Sequence, residues 1–138
     1  MKRILFLLAI LFTVSVAFAE DTIVTKSGLK YIVMKPGNGK HPEPGDKVSV
    51  YYTGTLPDGK VFDTNRDESN EVFKFTIGKK EVIPGWEEGL QLMSKGERGI
   101  LFIPAKLAYG AKGVKDGNKY LIPPNSPLKF EIELVNFK

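Results

Sequence analysis

The chain has 138 residues, enough for one domain with its own core, and carries 20 Lys+Arg against 16 Asp+Glu, a formal net charge of +4. It has no cysteine and one histidine, His41, which excludes a disulfide framework, a catalytic thiol and a Cys/His zinc site, so no metal or cofactor is expected. The bases are scattered among acids without a Lys/Arg block, the pattern of a solvated surface, and no nucleic-acid partner is expected.

The first segment reads as an export signal. Lys2 and Arg3 precede an apolar run from Ile4 to Val16, and Ala17-Phe18-Ala19 gives small residues at the positions where such signals are cut. The run is short for a membrane span of roughly 20 residues, although an uncleaved anchor is the competing reading. We therefore expect a signal peptide over 1–19, a lead-in over 20–27 and one folded domain over 28–138. Cleavage removes two bases and no acid, which lowers the charge to +2. The destination is the periplasm or the extracellular space, or the secretory lumen in a eukaryote.

Glu20 to Lys26 reads as polar lead-in, and Gly28 to Met34 has strand character. Turn formers crowd Pro36 to Asp46 and predict a loop that places His41 on the surface. Val48, Val50 and Tyr52 share one face of a strand running to about Thr55. Pro57-Asp58-Gly59 predicts a hairpin turn, after which Val61-Phe62-Asp63 is extended again. Asn65 to Glu71 is polar and reads as solvated loop, and Phe73 to Ile77 as strand. Pro84 to Met93 is the one good helix: proline suits its first turn, Glu87 and Glu88 its positive end, and Trp86, Leu90 and Met93 form a stripe. Two glycines make it poor by propensity, so packing must hold it. Gly99 to Ile103 predicts a central strand stopped by Pro104, followed by a Gly-rich loop through Tyr109-Gly110 to Pro123-Pro124. In the last strand Leu128, Phe130, Ile132 and Leu134 alternate with Lys129, Glu131 and Glu133. Several antiparallel strands and one short helix make an α+β domain, a curved sheet wrapped around the helix.

Nucleophile elbows and phosphate loops are missing. Tyr52, Phe62, Phe73, Trp86, Tyr109 and Phe130 come from different segments yet fall at inward positions; each alone reads as core. Tyr52 and Tyr109 stand out because a buried hydroxyl needs a partner, and Asp63 because it follows Phe62 in an apolar context.

The run from Tyr51 to Asp63 resembles the Y-T-G-x-L-x-D-G-x-x-F-D signature of FKBP-type peptidyl-prolyl isomerases. Phe73-Lys74-Phe75 with Gly78, Val82 to Leu90, Leu107-Ala108-Tyr109-Gly110, and Leu121 to Leu134 resemble its further motifs in order. The resemblance runs from about Gly28 to the C-terminus. It implies an enzyme that rotates X–Pro bonds of proline-containing polypeptides, assisting the folding of exported proteins as a monomer, with macrolides as inhibitors. The alternative is a chaperone module that holds proline-containing chains with little turnover.

By the resemblance, Trp86 forms the pocket floor, and Tyr52, Phe62, Phe73, Val82, Ile83, Ile122 and Phe130 line the walls. The Ile83 N–H and the Tyr109 hydroxyl bond substrate carbonyls, and Asp63, held by Tyr52, faces the reacting amide. Departures are Glu68 where a base is common, one extra residue before Phe73, and about four extra residues over Gly113–Tyr120. All sit on the rim. Lys112, Lys115 and Lys119 there predict a preference for acidic residues near the proline.

Overall fold

The computed structural model describes residues 22–138, and the alternating patterns become nine strands and one α-helix among them. The strands are β1 (Thr22–Val24), β2 (Lys30–Lys35), β3 (Lys47–Thr55), β4 (Val61–Thr64), β5 (Phe73–Thr76), β6 (Arg98–Ile103), β7 (Val114–Asp116), β8 (Lys119–Ile122) and β9 (Leu128–Phe137). The helix α1 spans Pro84–Leu92, and a single 3₁₀ turn spans Ala105–Leu107. The main sheet is antiparallel throughout and runs β1-β2-β6-β9-β3-β4, with β5 also pairing β3. The expected α+β architecture, an antiparallel sheet around one helix, is the one observed.

Burial follows the period of two. Leu128, Phe130, Ile132 and Leu134 of β9 are almost fully buried, as are Val48 and Val50 of β3, Leu101 and Ile103 of β6, and Tyr31 of β2. The helix lays Trp86 and Leu90 on this face, and Met93, just past its end, is buried with them. Its two glycines are required by contact. A Cβ on Gly85 would sit 2.5 Å from Ile103 Cγ2, and one on Gly89 would sit 2.6 Å from Leu101 Cδ1.

One long strand organises the site. β3 pairs β9 along its length on one side. On its other side it pairs β5 over Lys47–Val50 and β4 over Thr53–Thr55. The gap between these partners is filled by a side chain. Asn65 Oδ1 accepts from the Tyr52 N–H at 2.7 Å, and Asn65 Nδ2 donates to the Val50 and Glu71 carbonyls at 3.0 and 2.9 Å. Asn65 thereby satisfies strand groups that would otherwise lack a neighbour. The β3–β4 turn is the expected one, with Gly59 at φ +88° and its N–H bonded to the Leu56 carbonyl.

Three details differ from expectation. Thr22–Val24, inside the segment read as lead-in, forms β1 by pairing β2 from Thr22↔Ile32 to Val24↔Lys30. Within the stretch read as one Gly-rich loop, Val114–Asp116 and Lys119–Ile122 pair as a hairpin turning at Gly117, φ +63°. The helix ends at Leu92 with Met93 already extended, although Met93 remains buried. The segment 1–19, read as an export signal, lies outside the described residues.

Candidate functional site

Strands β3, β4, β5 and β9 each deliver one aromatic side chain to a common cavity of about 180 Å³. Tyr52 comes from β3, Phe62 and Asp63 from β4, Phe73 from β5 and Phe130 from β9. Val82 and Ile83 come from the segment entering α1, Trp86 from its first turn, and Tyr109 from the segment after the 3₁₀ turn. Trp86 is 4% exposed, whereas Phe73 and Tyr109 are 39% and 40% exposed, so the indole lies at the base and the other two at the mouth.

The rings closest to Trp86 meet it edge to face. The Trp86 ring centroid lies 5.0 Å from Tyr52 at 80° and 5.2 Å from Phe130 at 84°, and Phe62 meets Phe130 at 89°. These are the arrangements that ring quadrupoles favour. Trp86 Nε1 is a buried donor with no partner among the described residues. The Ile83 carbonyl starts the helix by accepting from the Trp86 and Glu87 N–H groups, and the Ile83 N–H donates to no group among the described residues. Glu87 fixes the approach to this corner, its carboxylate accepting from the Gly78 and Lys80 N–H groups at 2.6 and 3.1 Å.

The Tyr52 hydroxyl donates to Asp63 Oδ2 at 2.7 Å. Burial, and then this bond to Asp63, push the Tyr52 phenol well above its ordinary value. Tyr109 is pushed up by burial and then by the negative charge of Asp63. Both phenols therefore remain protonated donors at neutral pH.

The structure brings together Tyr52, Phe62, Asp63, Phe73, Val82, Ile83, Trp86, Tyr109 and Phe130 of the expected set. It does not bring Ile122: that side chain is 3% exposed inside the core cluster and is not on the cavity lining. Glu81, which sequence reasoning missed, does line the cavity, its carboxylate accepting from the Thr76 N–H at 2.8 Å. Lys112, Lys115 and Lys119 do not line it, and the Lys115 ammonium lies over the Tyr120 ring of its own hairpin at 5.4 Å. The charged groups of the lining are thus Asp63 and Glu81, both acidic. Asn65 was missed too, because nothing local distinguishes a strand-bridging asparagine from one in a solvated loop.

Such a cavity can grip a small apolar ring against aromatic faces while donors at its mouth hold flanking carbonyls. Fixed aromatic walls of this kind can bind one conformation of a substrate better than another. Residues 38–135 match the family described as FKBP-type peptidyl-prolyl cis-trans isomerase. The chain is 48% identical over 109 residues to peptidyl-prolyl cis-trans isomerase Fkbp12 of Drosophila melanogaster, covering 78% of this chain and 96% of that one. It is 43% identical over 129 residues to the macrophage infectivity potentiator of Trypanosoma cruzi, covering 93% of this chain and 62% of that protein. The crystal structure of FkpA from Escherichia coli superposes with a TM-score of 0.75 at 43% identity over 85% of this chain, which spans about half (51%) of that chain. Proteins of this family bind proline-containing substrates and macrolides such as FK506. The aromatic cavity on a one-helix antiparallel sheet, the matched family segment and these identities together make the chain a member of the FKBP-type peptidyl-prolyl cis-trans isomerases, an enzyme that rotates X–Pro peptide bonds.

Proposed function

We propose that the isomerase seats the proline ring of its substrate on the Trp86 indole, between Tyr52, Phe62, Phe73, Val82 and Phe130, and that it works as a monomer on exported polypeptides. The observation that carries the site is the buried indole at the base of a cavity walled by three other aromatic side chains edge-on. Peptide rotation is opposed by a resonance barrier of about 18–20 kcal/mol, and X–Pro bonds flip unaided in tens to hundreds of seconds. No bond is made or broken. Twisting the amide removes its charge separation, so a dry aromatic cavity favours the twisted form over the planar one. The unpartnered Ile83 N–H and the Tyr109 hydroxyl hold substrate carbonyls so that the flanking chain is fixed while the amide turns. Asp63, oriented by the Tyr52 hydroxyl, faces the reacting amide.

Export rests on the basic start, apolar run and A-x-A site of residues 1–19. NMR exchange on a proline tetrapeptide is the test of the site: rapid cis/trans exchange with the native protein and slow exchange with Trp86→Leu are expected. Full exchange with that variant would reject the site, and FK506 should compete with the peptide. For export, the expected product in cells is a chain cut after Ala19 and found outside the cytoplasm. An uncut chain in the cytoplasmic fraction would reject it.

A further inference from the structure

A second depression, of about 530 Å³, opens on the sheet face away from the helix and is larger than the isomerase cavity. Its floor follows from strand register. Lys30 of β2 pairs Phe102 of β6, Phe102 pairs Lys129 of β9, and Lys129 pairs Thr55 of β3. These four residues form one row across the outer face, because their neighbours Tyr31, Leu101, Ile103, Leu128 and Phe130 point inward. Leu56 and the rings of Pro57, Pro104 and Pro127 wall the row at its end. The volume lies within the roughly 300–1,000 Å³ of ordinary small-molecule sites.

Two observations define the occupant. First, the charge is of one sign. The lining contains Lys30 and Lys129 and no acid. The outer-face acids further along β9 are already taken, Glu131 by Arg98 and Glu133 by Arg66. No carboxylate pairs either lysine among the described residues. Lys30 Nζ lies 5.5 Å from the Phe102 ring centre instead. One strand separates the lysines, so their backbones are about 10 Å apart and their long side chains can converge on one anion. Second, the main-chain N–H donors around the groove are spent. The row is paired within the sheet, Gly28 N–H bonds Thr25, Leu56 and Gly59 bond within their turn, and the Pro104 carbonyl accepts from Leu107. Three of the walls are prolines, which have no N–H. A peptide would bring main-chain carbonyls that find no free N–H here, whereas a hydrocarbon chain brings none.

We propose that this groove binds a small amphiphilic monocarboxylate, its acyl chain against Leu56, Phe102 and the three prolines and its carboxylate between Lys30 and Lys129.

The probe is decanoate, titrated below its micelle concentration at low salt into isotope-labelled protein and followed by amide shifts. Shifts centred on Lys30, Phe102 and Lys129 are expected, with decanol and decyltrimethylammonium at least tenfold weaker. The double variant Lys30→Glu/Lys129→Glu should bind at least tenfold more weakly, and Lys30→Arg/Lys129→Arg should keep binding. Lys30 and Lys129 are both exposed, so in either variant the fold and the isomerase rate should be unchanged. Reversing Lys95 and Lys138 instead alters net charge equally and should leave binding intact. The proposal is overturned if decanol binds as well as decanoate, if the Lys30/Lys129 reversal has no effect, if shifts centre on the Trp86 cavity, or if an acidic apolar tripeptide occupies the groove and decanoate does not.

Discussion

Trp86 carries two duties at once, since four aromatic rings lean on it within about 6 Å and its free face forms the cavity base. Trp86→Ala should cost about 3–5 kcal/mol of stability, read by urea denaturation, because it empties a buried volume as well as removing the base. Trp86→Leu fills more of that volume. It should leave a folded protein whose kcat/KM falls at least tenfold, with most of the loss in proline binding. The phenols beside it set the pH behaviour. Tyr52 and Tyr109 are both raised, chiefly by burial and secondarily by Asp63, so neither ionises where ordinary tyrosines begin to. With no proton transferred in the rotation, kcat/KM for an uncharged peptide should be flat from about pH 6 to about pH 9.5. Line-shape exchange measures this without a coupled enzyme, and a slope of one log unit per pH unit inside the window would reject it.

The helix is poor by propensity and good by fit. Replacing Gly89 by alanine should help the isolated helix by about 1 kcal/mol. In the protein the added methyl would lie 2.6 and 2.8 Å from the two Leu101 methyls, and Leu101 is fully buried and cannot move aside. Overpacking of this kind costs about 1–3 kcal/mol, so Gly89→Ala should be net destabilising in thermal or urea unfolding. The sequence made the helix, the long central strands and the β3–β4 turn legible, because each carries its own periodicity or turn residues. It left β1 and the β7–β8 pair illegible, since these short strands lie among polar and glycine-rich residues, show no apolar alternation and exist by virtue of their partner. That miss altered a functional expectation. Read as a basic loop, the 113–120 stretch predicts acidic substrates, whereas the structure puts Asp63 and Glu81 on the cavity and no lysine. Peptides with lysine beside the proline should therefore turn over faster than their glutamate counterparts at low salt. The difference should narrow as salt shortens the screening length to about 8 Å. Equal rates at low salt would show that the two carboxylates do not reach the bound chain.

Across the whole molecule the fold is tied by a buried polar contact far from the cavity. The Tyr31 hydroxyl of β2 donates to Glu97 Oε2 at 2.6 Å, and the Ser94 N–H reaches the same carboxylate oxygen at 3.3 Å. Glu97 also accepts, through its backbone carbonyl, from the Leu134 N–H, so one residue joins β2, the turn after α1 and β9. Tyr31 is fully buried, and Gly99 leaves room for its ring, which lies 2.3 Å from where a Cβ would be. Burial, then the bond to Glu97 and its charge, push the phenol far above the ordinary value of 10. A group whose pKa is higher folded than unfolded contributes stability fully below the unfolded value. As pH rises past about 10, the unfolded chain releases a proton that the folded chain keeps, and the contribution falls by at most about 1.4 kcal/mol per pH unit. Tyr31→Phe removes this linkage and leaves the buried carboxylate short of a donor, so the variant should be less stable at pH 8 by about 1–3 kcal/mol. Lysines titrate in the same alkaline range in both proteins and cancel in the comparison. Urea unfolding of the two proteins from pH 8 to pH 11 should show a constant gap up to about pH 9.5 that narrows steadily above pH 10. A gap that stays constant to pH 11 would mean that the Tyr31 phenol ionises alike in the folded and unfolded chains, and that the contact with Glu97 does not hold its proton.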